Sequence, residues 1–263
     1  MGVLNLTPDS FSDGGRLATT PALIDAAANM VAAGASILDV GGESTRPGAR
    51  PVGSDEEITR VIPAIEAIAS RFDCPLSIDT RKPEVMTAAV AAGASLINDV
   101  GALQAPGALD TAAGLGVPVV LMHMLGEPAT MQDAPVYADP VTEVADFLAA
   151  RVAACLAAGL PRDRIMIDPG FGFGKKLPHN LALLRGLNRL RETLGLPVMA
   201  GLSRKSMIGE LTGCAVEDRL HGSVALAVYA ALRGASIVRV HDVGPTVTAL
   251  RAIAPLQGEF LNG

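Results

Sequence analysis

Three observations predict one fold for this sequence: a single (β/α)₈ barrel of the TIM type, with its chemistry at the C-terminal ends of the strands. The chain has 263 residues, close to the roughly 250 typical of such a barrel. One unit recurs, an Ala-rich helix, a Gly, a short aliphatic strand and a polar end: AAGASILDV over Ala32–Val40, AAGASLINDV over Ala91–Val100 and, more weakly, RGASIVRV over Arg233–Val240. Extended along the chain, that unit places eight strands, which favours closure into a barrel. A doubly wound open sheet is the alternative. It needs one crevice at one switch point, whereas here nearly every strand ends in polar residues.

The strands fall at Gly2–Leu6, Ser36–Val40, Pro75–Asp79, Ser95–Asp99, Val117–His123, Arg164–Asp168, Pro197–Gly201 and Ser236–His241. Gly34, Gly93 and Gly234 sit where helices must end, at the left-handed position that Gly occupies most cheaply. Pro21 and Pro140 suit the first helical position after Thr20 and Asp139 as caps. Ser54-Asp-Glu-Glu57 reads as a capping box opening a helix to about Arg71. No linker or low-complexity tract divides the chain, so residues 1–263 read as one domain. The longer βα segments, Thr7–Thr20, Gly41–Gly53 and Met124–Ala138, are placed to cover a ligand at the barrel mouth.

Composition supports this and limits the partners. The chain is 49% hydrophobic and 18% charged, with no Trp, two Tyr and six Phe, so its core must be aliphatic. Parallel strands buried on both faces require that. A net charge of −6 argues against nucleic acid or an anionic membrane as partner, yet leaves room for a few cations to hold an anionic small molecule. Three scattered Cys without a CxxC spacing read as buried thiols in a reducing compartment. With no long apolar run and no charged-then-apolar leader, the expectation is a soluble, cytoplasmic protein.

The strand ends carry Asn5, Asp39, Asp79, Asn98 with Asp99, His123, Asp168, Ser203-Arg204-Lys205, and Arg239 with His241. Any one Asp after a strand serves equally well as a helix cap, and Asp39 and Asp99 are read that way. The whole set, converging on one face, is read as a common site. Asp79, Asn98 and Asp168 offer acceptors and an amide suited to a flat heterocycle rich in N–H donors. Arg46, Arg239 and His241 suit phosphate oxygens, and the Gly-rich loop Gly41–Gly48 adds hydroxyls. Asp168-Pro-Gly-Phe-Gly-Phe-Gly-Lys175 allows close approach of backbone and rings to a ligand, and Lys205 lies at the usual phosphate corner of such barrels. His179, His221, Lys82 and Lys176 read as helix starts or solvated side chains, and Ser223–Leu232 as a buried helix face, with a subunit contact as second choice.

Taken in order, MGVLNLTPDSFSDGG (Met1–Gly15), DVGGESTRPGA (Asp39–Ala49), SIDTRKPEV (Ser77–Val85), INDV (Ile97–Val100), LMHM (Leu121–Met124), DPGFGFGK (Asp168–Lys175), GLSRKSMIG (Gly201–Gly209) and RVHDV (Arg239–Val243) closely resemble the dihydropteroate synthases. The resemblance covers essentially the whole chain. It implies joining of a pterin carrying a hydroxymethyl diphosphate to para-aminobenzoate, by dissociation before attack, in folate biosynthesis. It implies a pterin grip from Asp79, Asn98, Met122, Asp168, Lys205 and Arg239, with Asp79, Lys205 and Arg239 closest to the chemistry. It also implies Mg²⁺ at Asn5; diphosphate at Asn5, Thr45, Arg46, Arg239 and His241; and an aminobenzoate pocket from Thr45, Arg46, Pro47, Phe173, Ser203, Lys205 and Ser206, which sulfonamides would occupy as mimics. A homodimer is expected because the family usually forms one. Family members usually carry a short N-terminal hairpin segment, whereas Met1 here sits almost on strand one, a departure bearing on stability more than on chemistry. A corrinoid methyltransferase barrel would share the pterin grip but has no use for Ser44-Thr-Arg-Pro47 or Ser203-Arg-Lys-Ser206. A non-catalytic pterin-binding paralogue would be expected to have lost part of the set, and none is lost.

Overall fold

The structure is a computed structural model, and it describes residues 1–7, 21–44, 50–128 and 130–256. Eight short strands alternate with helices: β1 (Gly2–Asn5), β2 (Leu38–Gly41), β3 (Leu76–Asp79), β4 (Leu96–Asp99), β5 (Val119–Met122), β6 (Ile165–Asp168), β7 (Met199–Ala200) and β8 (Ile237–Val238). β1 to β6 form one parallel sheet in sequence order, and β7 pairs parallel with β8. Single parallel bridges, Ile167 to Val198 and Gly2 to Val240, join the two sheets into a ring. The barrel expectation is met, although its two joints are bridges rather than continuous ladders.

Each strand is shorter than the sequence predicts. Several of the predicted flanks bend instead, Ser36 and Ser236 in bends and Arg164 in a 3₁₀ turn, and others bond singly to a neighbour without a continuous ladder, as Ile167 N donates to Pro197 O at 3.0 Å. Outward-facing strand residues such as Leu38, Val40, Ile78, Ile97, Val119, Leu121, Ile165 and Ile167 are sealed under the helices with no exposure. Inside the barrel, Leu96, Val120 and Met199 pack with Met1, Met166 and Ile237 as an apolar floor. Residues two further along these strands point the same way, so Asn98, Met122, Asp168 and Arg239 stand above that floor at the mouth.

The turn glycines Gly34, Gly93 and Gly234 have φ of +97°, +118° and +93°, as their position before each strand requires. Pro21 and Pro140 open helices, and Asp139 caps the second by accepting from Val141 N at 3.1 Å. The expected capping box does not form. Helix Ser54–Ala69 is capped by Gly53 without a side-chain bond, because Ser54 donates to Glu84 and the fully buried Glu57 is drawn inward to Lys82. A tertiary ion pair outcompetes the local motif. Lys82 is therefore not the solvated side chain the sequence suggests: it joins Glu57 to Glu43, the latter at 2.8 Å.

Candidate active site

Three groups of residues build the mouth. The first is an acidic cradle around Arg239, the residue just beyond β8. Its Nε donates to Asp39 Oδ2 at 2.6 Å and its Nη2 to Asp79 Oδ2 at 2.8 Å. Asn98 Nδ2 donates to the same Asp39 oxygen at 3.3 Å. Two carboxylates holding one guanidinium keep Arg239 protonated far above any physiological pH. Burial raises the Asp79 pKa; Arg239 pulls it back and the like charge of Asp39 pushes it further up. Asn5, at the end of β1, lies across Gly41 from Asp79: a Cβ placed on Gly41 would stand 3.5 Å from Asp79 Cβ and 3.8 Å from Asn5 Oδ1.

The second group is the turn after β6. Asp168 is 4% exposed, and its Oδ1 accepts from Gly170 N at 2.7 Å. Burial raises its pKa, opposed first by Lys205. Gly170 has φ +67°, and a Cβ there would meet His123 O at 1.9 Å, so only glycine fits. Lys175 closes the turn from below. Its ammonium reaches His123 Nδ1 at 2.8 Å and the carbonyls of Gly170 and Phe173 at 2.9 Å each. Burial lowers the Lys175 pKa to about 7 and the His123 pKa to about 3, so His123 is neutral and accepts the Lys175 proton bond. Asn180 completes the support, accepting from Gly172 N at 2.8 Å and donating to the carbonyls of Lys175 and Lys176 at 3.1 Å each.

The third group is the loop after β7. Arg204 adopts φ +58° and forms a two-pronged pair with Asp242, at 3.0 and 2.7 Å. Its backbone N–H donates to Ser223 Oγ at 2.9 Å. That strained, anchored residue turns Lys205 inward, where its Nζ donates to Phe171 O and lies 4.8 Å from the Phe173 ring centroid. Burial lowers the Lys205 pKa to about 8, with the Asp168 carboxylate opposing. Ser203 is bonded to His241 through Nδ1 at 3.0 Å and through the backbone N–H at 3.2 Å, tying the loops after β7 and β8 together.

Most predicted residues thus meet at one face. Asn98, Asp79 and Arg239 are joined through the Arg239 and Asp39 contacts, Lys205 feels the charges of Asp168, Arg239 and Asp79, Met122 is buried at the end of β5, and Ser206 is exposed at the start of helix Ser206–Thr212. Thr45, Arg46 and Pro47 lie outside the described residues. Three readings change. Asp39 is no helix cap: it has no exposure and holds Arg239 and Asn98, the former 200 positions away, so no local pattern could have shown it. His123 is not at the mouth but beneath the β6 turn, edge-on to Phe147 at 4.9 Å. Lys175, to which its motif alone assigns no task, is the buried anchor of that turn; the scarcity of Lys in the chain is the available signal. Asp99 does not cap the next helix, whose N-cap is Gly107 without a side-chain bond; it closes the turn directly after β4, accepting from the Gly101 and Leu103 N–H groups at 2.6 and 2.8 Å.

For a metal the described residues offer no cluster of three or more His, Cys, Asp or Glu. Asn5 beside Asp79 is a hard oxygen donor of the kind that suits a cation arriving with phosphate oxygens of its own. Among the described residues no helix is long and apolar enough to cross a membrane.

The family described as pterin binding enzyme matches residues 1–241. The dihydropteroate synthase of Escherichia coli K12 is 52% identical over 256 residues, covering 96% of this chain and 89% of that one. The Yersinia pestis dihydropteroate synthase, solved with a sulfonamide drug complex, superimposes with a TM-score of 0.93 at 49% identity, covering 97% of this chain and 93% of that one. The Xanthomonas albilineans dihydropteroate synthase in complex with 7,8-dihydropteroate gives a TM-score of 0.88 at 52% identity, covering 98% of this chain and 92% of that one.

Proposed function

The chain belongs to the pterin binding enzymes, and on that premise we propose how its barrel mouth works as a dihydropteroate synthase. The transferase joins a dihydropterin carrying a methyl diphosphate to para-aminobenzoate, giving 7,8-dihydropteroate and diphosphate. The observation that carries this reading is the convergence of a buried carboxylate, Asp168, and a half-buried ammonium, Lys205, on the face that holds the Arg239–Asp79 pair.

Asp168 and Asn98 accept from the amino-pyrimidine edge of the pterin, Lys205 donates to its ring, and Met122 and the face of Arg239 sandwich it. The C–O bond to the diphosphate breaks first, and the electron pair leaves with the oxygen. Asp79 stabilises the cationic methylene left behind. The amine nitrogen then forms the C–N bond, and its proton passes to solvent. A weakly basic arylamine attacking so strong an electrophile needs no general base, so positioning and charge supply the rate.

Asn5 and His241, with Arg239, Thr45 and Arg46, hold the diphosphate. Mg²⁺ fits at Asn5 as a partner carried in with the diphosphate, where it supplies charge neutralisation for the leaving group. Thr45, Arg46, Pro47, Phe173, Ser203, Lys205 and Ser206 shape the aminobenzoate pocket, and sulfonamides enter it as mimics. We place the enzyme in the cytoplasm as a homodimer. Four of the seven exposed large apolar side chains among the described residues, Leu211, Val216, Leu232 and Leu256, support a subunit contact in the last third of the chain.

Mass spectrometry of the products tests the reading. Supplied with both substrates and Mg²⁺, the purified chain is expected to form 7,8-dihydropteroate, and with a sulfonamide in place of aminobenzoate a pterin–sulfonamide adduct. Absence of the first product overturns the assignment.

A further inference from the structure

Asp39 is a fully buried carboxylate placed one layer below the mouth, and it uses one oxygen for two donors. Its Oδ2 accepts from Arg239 Nε at 2.6 Å and from Asn98 Nδ2 at 3.3 Å. Its Oδ1 has no partner among the described residues, and neither does Ser77 Oγ, which occupies the register position beside it on β3. A buried carboxylate with one oxygen unsatisfied is costly, and an apolar side chain there would suit barrel packing better. Retention of that cost at the base of a site points to a positioning task.

Two consequences follow from the donor directions. An amide has one donor end and one acceptor end. With its Nδ2 committed to Asp39, Asn98 presents Oδ1 as the atom a ligand meets. A guanidinium held through Nε by Asp39 and through Nη2 by Asp79 is fixed in its plane, leaving a flat face toward the mouth.

We infer that Asp39 is the positioning residue of the pterin grip: without touching the ligand, it sets the polarity of the Asn98 amide and the plane of Arg239. The inference rests on the pterin reading above. It selects ligands that offer an N–H, rather than a bare acceptor, toward β4.

Steady-state kinetics of Asp39→Leu and Asp39→Asn, with the unmodified chain alongside, provide the test. Leu removes the shared acceptor, so KM for the pterin diphosphate is expected to rise at least ~10-fold, the scale of one lost charged hydrogen bond, while KM for aminobenzoate stays within about twofold. Asn can keep its oxygen toward both donors and turn its N–H₂ toward Ser77 Oγ, so it is expected to restore pterin KM to within about threefold of the unmodified chain. An unchanged pterin KM in Asp39→Leu, an equal rise in both KM values, or no recovery in Asp39→Asn overturns the inference. If Asp39→Leu does not fold, ¹⁵N NMR of the unmodified chain decides. The Arg239 Nε–H is expected to exchange slowly with solvent before pterin is added, and rapid exchange overturns the inference. Lack of dihydropteroate formation by the unmodified chain instead removes the functional reading, and this inference with it.

Discussion

Lys205→Met should separate stability from activity. In the folded chain burial lowers the Lys205 pKa from 10.5 to about 8. Between those values the unfolded chain binds the extra proton and the folded chain does not, so stability rises with pH across that window and the folded state carries a cost below pH 8. A gap of roughly 2.5 pH units corresponds to about 3 kcal/mol at neutral pH. Met removes this cost. The pull of Asp168 is already contained in that gap, so what Met further loses is the bond to Phe171 O. That loss returns about half, by the usual size of a buried charged hydrogen bond, leaving a net gain of about 1–2 kcal/mol. For a chain of this size that is a Tm increase of roughly 2–6 °C at pH 7, lost as pH rises from about 8 to 10.5 and replaced above that by a small decrease, where the lysine is neutral in both states and only the lost bond counts. In the same variant kcat/KM should fall at least ~100-fold, the scale of losing a preorganised charge. Melting curves at several pH values, paired with turnover assays, read both quantities. A lower Tm at pH 7, or a higher Tm with near-normal kcat/KM, refutes the reasoning.

Three further outcomes are expected. Arg239→Ala should lower kcat/KM at least ~100-fold and also destabilise by about 3–5 kcal/mol, because it strands the buried Asp39 carboxylate; denaturant titration and kinetics check both. Asp168→Asn should weaken pterin affinity in calorimetry while the melting transition stays cooperative, and unchanged affinity removes Asp168 from the grip. Gly170→Ala should fail to fold or lose more than about 4 kcal/mol, since its Cβ would overlap His123 O at a positive φ.

The barrel was legible because its signals are local and repeated: the helix–Gly–strand unit carries its own period, and the mouth residues follow each strand directly. Arg239, Asp168 and Lys205 could be located from that placement alone. What the sequence did not show depends on contacts between distant positions. Asp39 looks like any Asp after a strand until Arg239, at the far end of the chain, folds onto it. The capping box at Ser54 has the right letters, but Lys82 takes Glu57 away from it. Lys175 stands directly beside Lys176 in sequence, yet only Lys176 is exposed, because the glycine turn folds Lys175 back onto its own carbonyls. The strands are shorter than their aliphatic runs for a related reason: an aliphatic run is a local property, and ladder pairing is not.

The proposed chemistry has this mouth expel diphosphate to make room for an arylamine. The most direct measurement is diphosphate release by the purified chain, given the pterin diphosphate and Mg²⁺, with and without para-aminobenzoate. Sustained release that depends on aminobenzoate and is competed by a sulfonamide is expected. Release that ignores the amine, or no release with both substrates present, contradicts it.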